Sequence, residues 1–403
     1  MKKLLLIIMI VFSAFVVAIP AGAAANPGFD DKEIRIAQFG PQTGPAAPWG
    51  AVARGGALLA EIVNAEGGIH GRKIKYFIRD DQYSPAVAQM VVKELVDKHG
   101  IFAFTGGVSG AGGHAVKDYL AANKVLWVVP GTAALNTVAD RDKNGMPSLY
   151  RYCSYPLFED EASIVTKYAV EKLKYKKVGI VYQNDVFGKG GLTGLRQRLA
   201  TYKMKPAEEA PVEPNEKDLT SQMLRMKNSG AECVLMWVSP TLAVITLKTA
   251  QTVGYKPQWI AFDGLSDYQM MYKITGGLFE GVITAAFVPP IDSNEPLVVK
   301  YREAAKKYAP EETWGTYVLA GVMFMEPLVE ALKRTGPNLS TEAVITELNK
   351  FKNWKGLGAP ITWTPQVHQG TDSVQIQKCG PKGSYILLQD WTRNELATWK
   401  KQK

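Results

Sequence analysis

The chain has 403 residues, of which 46% are hydrophobic and 21% charged, and it carries a formal net charge of +9 at pH 7. That length exceeds what one hydrophobic core ordinarily organises, and the balanced composition excludes a disordered, collagenous or disulfide-dense chain. The basic residues are dispersed, as in Lys172-Leu173-Lys174-Tyr175-Lys176-Lys177, whereas a nucleic-acid-binding surface gathers them into a stripe; no nucleic-acid partner is expected.

In chain order the first signal is a leader. Lys2 and Lys3 precede an uncharged apolar run, Leu4 to Ile19, which Pro20 breaks before the small residues Ala21-Gly22-Ala23-Ala24-Ala25. Residues 1–25 therefore read as a cleaved signal peptide, with the mature protein in the periplasm. An uncleaved anchor is the competing reading, but the run falls short of the roughly 18 to 20 apolar residues that span a bilayer. Without Lys2 and Lys3 the net charge of +9 becomes +7.

Short β-rich runs then alternate with amphipathic segments. Strands are expected at Ile34–Phe39, Lys73–Arg79, Ile101–Phe104, Val125–Val129, Lys177–Tyr182, Cys233–Trp237 and Val282–Phe287, with a further short one around Trp259–Phe262. Val87, Met90, Val91, Leu95 and Val96 recur at helical spacing, as do Ile164, Val165, Tyr168, Ala169 and Leu173. Strand–helix alternation of this kind builds parallel sheets covered by helices. After Pro289-Pro290 the pattern turns helical at Pro296–Tyr308, Trp314–Lys333 and Thr341–Phe351, and strand-like pieces close the chain at Ile361–Thr364, Ser373–Lys378 and Tyr385–Leu388. The expected architecture is α/β, with two Rossmann-like lobes facing each other across a cleft and joined by a multi-strand hinge. One lobe takes residues 30–152 and 289–359, the other 153–288 and 360–403.

Three cysteines (Cys153, Cys233, Cys379) and four scattered histidines have neither a disulfide framework nor metal-site spacing, so no metal or cofactor is expected. The segment Ile101–Gly113 runs from a strand into a glycine-rich turn and a helix start, where backbone N–H groups favour an anion. Ser109 and Gly110 are candidates there. Gly107-Val108-Ser109-Gly110-Ala111 departs from the nucleophile elbow in its last residue, and no His–acid pair can be assigned to Ser109, yet a secreted amidase stays open. A dinucleotide fingerprint fails at Ala115, and plain turn glycines are the bland alternative. Thr132 follows the next strand and offers a hydroxyl to the same anion or to a helix cap. Asp263 ends a strand of the other lobe, where it can pair with a ligand ammonium or form a turn with Gly264. Trp49, Phe187 and Trp237 lie at or just beyond strand ends, as pocket walls or core.

The run Thr43-Gly44-Pro45 … Trp49-Gly50 … Asn64-Ala65-Glu66-Gly67-Gly68-Ile69-His70-Gly71, followed by Asp80-Asp81, Ser84-Pro85, Phe187-Gly188, Asp263-Gly264 and Phe279-Glu280-Gly281, resembles the periplasmic branched-chain amino-acid (Leu/Ile/Val) binding proteins of ABC transporters. The likeness covers essentially all the mature chain. It implies the type I periplasmic binding protein fold, capture of an amino acid or an analogue by hinged closure, no covalent chemistry, and delivery to an inner-membrane permease. It also implies site roles. Trp49 matches an aromatic beside the ligand side chain, and Gly110 a serine that holds the α-carboxylate, with Ser109 just before it. Thr132 and Ala133 match, in swapped order, an Ala-Thr pair on that carboxylate; Phe187 replaces a tyrosine and Ser239 lies near another. Asp263 matches the acidic partner of the ammonium, while Tyr83 and Ser109 stand where the archetype has a disulfide. A ligand sensor serving a separate receptor would use the same fold.

Overall fold

A computed structural model describes residues 28–397, so the expected signal peptide lies outside the described residues. Five parallel strands form the first sheet: β1 (Glu33–Gly40), β2 (Lys73–Asp80), β3 (Ala103–Gly106), β4 (Leu126–Pro130) and β5 (Arg151–Tyr152), in the order β2-β1-β3-β4-β5. The second sheet contains β6 (Val178–Gln183), β7 (Glu209–Val212), β8 (Cys233–Trp237), β9 (Gln258–Ala261), β10 (Ile283–Ala286), β11 (Ser373–Cys379) and β12 (Tyr385–Arg393). Its order is β12-β11-β10-β9-β8-β6-β7, and only the pairings of β10 with β11 and of β11 with β12 are antiparallel.

The sequence expectations need correction at four places. β3 begins two residues later than Ile101, and the first sheet gains a short fifth strand, the two-residue β5. β7, with the sequence Glu-Ala-Pro-Val, has a proline and little hydrophobic signal. It survives because it is the terminal strand of its sheet, where a missing N–H breaks no ladder. Ile361–Thr364 is no strand; it makes isolated bridges, Trp354 with Ile361 and Thr364 with Val367.

After β10 the chain leaves the second sheet and adds the helix Thr316–Thr335 to the first. Every residue from Thr316 to Val329 on this helix is buried, as expected of a helix enclosed on all sides. It crosses helix Ala51–Ala65 at two glycines that face each other. A Cβ on Gly55 would meet the Val318 carbonyl oxygen at 2.0 Å, and one on Gly321 would meet that of Val52 at 1.9 Å. Hydrogen alone in place of a side chain lets the two backbones touch.

The chain passes between the sheets three times, after β5, after β10 and before β11. The first and third passages run side by side. Cys153 bridges Gln369 in parallel, the Gly370 amide donates to the Cys153 carbonyl at 2.6 Å, and Trp363 Nε1 donates to the same oxygen at 3.0 Å. All three cysteines are free and buried. Among the described residues no helix is long and apolar enough to cross a membrane.

Candidate functional site

The loops that leave the carboxyl ends of β1, β3 and β4 face those that leave β6 and β9, the place where open α/β sheets hold ligands. Between them lies a small cavity. The first-sheet side presents Trp49, Tyr83, the Val108–Gly110 turn, Gly131 and, from the long buried helix, Tyr317, Ala320 and Phe324. Phe158, Phe187, Phe262, Gly264 and Phe287 close it from the other side, with Tyr155 on the first passage between the sheets. No lysine, arginine or histidine is among the lining residues.

The two halves are shut upon each other. Trp49 Nε1 and the Tyr317 hydroxyl both donate to the Gly264 carbonyl at 2.8 Å, and Thr241 Oγ1 donates to the Pro45 carbonyl at 2.7 Å. Asp267 Oδ2 accepts from the amide of Thr316 at 2.9 Å, so an aspartate from the second half caps the buried helix of the first. Around Trp49 the rings of Tyr83, Phe187 and Phe262 sit with centroids 5.8, 6.3 and 5.9 Å away, the two phenylalanines edge-on. Offset and edge-on rings are the favoured aromatic arrangement.

The glycine-rich turn uses its own donors. Ser109 Oγ accepts from the Gly112 amide at 3.0 Å and caps helix Gly110–Ala122; the Ser109 amide donates to the Gly107 carbonyl at 3.0 Å. The Gly131 amide donates to the Gly106 carbonyl at 2.7 Å. Tyr83 has a left-handed backbone, φ +58°, in a turn fixed by Asp81 Oδ1, which accepts from the Tyr83 amide at 2.8 Å. His114 pairs with Thr137 Oγ1 at 3.0 Å, so the imidazole nearest Ser109 in sequence is engaged elsewhere.

Asp263 is wholly buried just behind the wall formed by Phe262 and Gly264. The Tyr155 hydroxyl donates to Asp263 Oδ1 at 2.5 Å, and the Asp263 amide donates to Glu161 Oε1 at 2.7 Å. Glu161, itself fully buried on helix Phe158–Lys167, brings its carboxyl within hydrogen-bonding reach of that of Asp263. Removal from water raises both carboxyls above the usual carboxylate range; the charge of Asp263 raises Glu161 further, whereas hydrogen bonds from Tyr155 and Glu161 draw Asp263 back down. Neither Glu161 Oε2 nor Asp263 Oδ2 has another partner.

Trp49, Ser109, Gly110 and Phe187 line the cavity wall. Thr132, Ala133, Ser239 and Asp263 do not line it. Thr132 is buried with its methyl toward Gly113 and its hydroxyl unpartnered, and the Ala133 carbonyl accepts from the Phe158 amide at 3.0 Å. Ser239 precedes helix Pro240–Thr252, its hydroxyl buried and also without a partner. Sequence reasoning missed Tyr155, Phe158, Glu161, Tyr317 and Phe324. Tyr317, Ala320 and Phe324 share one helix face, a spacing legible in the sequence; that this face looks into a cleft was not.

The model of the periplasmic binding protein family matches residues 33–384. The chain belongs to that family. Relatives include the Leu/Ile/Val-binding protein homolog 3 of Brucella melitensis, 29% identical over 361 residues that cover 88% of this chain and 94% of the relative. An amino acid binding protein of Pseudomonas aeruginosa is 26% identical over 339 residues, 81% of this chain and 87% of that one. Two solved structures share the fold. A fatty acid ABC transporter substrate-binding protein from Thermomonospora curvata has a TM-score of 0.83 at 23% identity, covering 94% of this chain and 97% of that one. A branched chain amino acid ABC transporter protein from Thermus thermophilus with bound valine has a TM-score of 0.80 at 18% identity, covering 92% and 99%.

Proposed function

We propose that this chain is the extracytoplasmic solute-binding protein of an ABC importer, exported by its first 25 residues, and that it captures an amino acid or a related small amine, amide or carboxylate. The observation that carries the reading is the aromatic cavity shut between two α/β halves. Its walls come from both halves, so only the closed form makes every contact. Residues 30–152 with 289–359 and residues 153–288 with 360–403 act as the two lobes, pivoting on the three passages between the sheets. A ligand that touches both lobes then shifts the population toward the shut form, which docks on an inner-membrane permease. No covalent step is invoked, since Ser109 Oγ serves as a helix cap. The names of the relatives, which include Leu/Ile/Val-binding and amino acid binding proteins, support the ligand class.

The test is a thermal-shift screen of mature protein that has been unfolded and refolded to remove any carried ligand. The panel holds the common amino acids, matched amines, amides, and aromatic and aliphatic carboxylates. A ligand at 100 times its dissociation constant stabilises by about 2.7 kcal/mol, a readily measured shift. Stabilisation by no member of the panel would overturn the reading.

A further inference from the structure

The two ends expected to hold a zwitterion differ in their hydrogen bonding. On the anion side, the amides of Ser109 and Gly131 and the hydroxyl of Ser109 are engaged within the protein, and the cavity wall offers no cationic side chain. A ligand carboxylate would be desolvated against rings with no cationic partner beside it. On the other side, the structure buries two carboxyls, Glu161 and Asp263, with one oxygen of each lacking a protein partner. No cationic side chain is among the interactions of either group. Two acidic groups without a resident cation leave a negative potential in a low-dielectric wall, so a positive charge in the adjoining cavity is favoured. The cavity surface that such a charge would meet is formed by the rings of Trp49, Tyr155, Phe158, Phe187 and Phe262, whose faces attract cations.

Resting on the solute-binding reading above, we propose that the cavity takes a hydrophobic monocation, an aryl- or alkylamine without a carboxylate, whose charge lies against the aromatic rings and is balanced by the Glu161–Asp263 carboxyl pair behind them. Tyr155 links the two layers, since its ring lines the cavity while its hydroxyl donates to Asp263. The other titratable groups near the pair are Tyr317, on the buried helix, and Asp267, which caps that helix; neither brings a positive charge.

The experiment is isothermal titration calorimetry on stripped mature protein with matched probes: 2-phenylethylamine, L-phenylalanine and phenylacetate, and 3-methylbutylamine, L-leucine and 4-methylpentanoate. Each amine is expected to bind at least about tenfold more tightly than its amino-acid counterpart and the carboxylates to be weakest. In the wild type, amine affinity is expected to rise with pH as the buried carboxyl pair loses protons while the amine stays charged. Glu161→Gln, which keeps the acceptor for the Asp263 amide, is expected to weaken the amines at least about tenfold and to flatten that pH dependence. Equal or tighter binding of L-phenylalanine or L-leucine, or of either carboxylate, would overturn the proposal and leave the solute-binding role standing. Failure of both amines to bind would also overturn it, and the broad screen then decides the role itself. Should Glu161→Gln fail to fold, the wild-type pH profile alone decides: an affinity that is flat or falls with rising pH refutes the charge pairing.

Discussion

Gly110 offers the sharpest test of closure. It opens helix Gly110–Ala122 on the first half, and directly across the cleft stands Phe187, near the start of helix Val186–Thr201. A Cβ added at Gly110 would lie 2.8 Å from Phe187 Cβ and 3.4 Å from its amide nitrogen. Carbon atoms rest about 3.5–4.0 Å apart, so the deficit is roughly 1 Å. Neither partner can swing away, because both Cβ positions are fixed by helical backbone, and the strain is relieved only by parting the halves. Overpacking of this kind costs about 1–3 kcal/mol, here charged to the shut form alone, so affinity should fall roughly 5- to 150-fold. The open form gains a better helix former, and ligand-free stability should stay level or rise by up to about 1 kcal/mol. Gly110→Ala is therefore expected to weaken the tightest binder of the panel in calorimetry and to reduce the ligand-induced compaction seen by small-angle X-ray scattering. Affinity within twofold of wild type, with full compaction, would refute the argument that these two residues set the closed approach.

Other expectations concern the scaffold. Gly321→Ala places a Cβ 1.9 Å from the Val52 carbonyl oxygen and 2.9 Å from Gly55 Cα, so two helices must separate; a loss of about 1–3 kcal/mol is expected in denaturant titration. His368 is buried, stacked on Tyr152 with ring centroids 3.9 Å apart, and burial near Arg151 holds its pKa down at about 4 against 6.5 when exposed. A histidine with a depressed folded pKa takes up its proton more readily when unfolded. Its contribution is thus retained above pH 6.5 and lost as pH falls toward 4, by roughly 3 kcal/mol in total. His368→Asn should remove that share of the acid sensitivity, so that the wild-type advantage in unfolding free energy shrinks between those pH values; a constant difference would sink this account.

The order of strands and helices was legible in the sequence because it follows local rules. Ile34, Ile36 and the apolar run of β8 announce buried parallel strands, and Cys233–Trp237 and Pro296–Tyr308 fall where their patterns place them. The ordered run of motifs from Thr43 to Gly281, with the distinctive Asn64–Gly71 among them, carried the family resemblance. What failed locally failed where context overrides pattern: β7 persists as an edge strand despite Pro211, and Ile361–Thr364 looks like a strand but finds no neighbour beyond single bridges.

The candidate site was half visible. A strand-end rule found Trp49, Ser109, Gly110 and Phe187, because residues after parallel strands must gather at one edge of a sheet. It also pointed to Asp263, a strand-end acid that the structure buries behind Phe262 and Gly264. Burial partners are set by residues distant in sequence, and only folding brings Tyr155 and Glu161, 108 and 102 positions away, onto that carboxylate. The sequence by itself determined the family, the two α/β halves and the ring of loops between them, since those depend on periodicity and chain order. Only the tertiary structure decided which hydroxyls and amides are already engaged, which carboxyls are buried together, and that the space left for a ligand is aromatic. Hydrogen-bond partnership and desolvation are properties of the assembled interior, where a contact across the cleft outweighs any preference of the residues that make it.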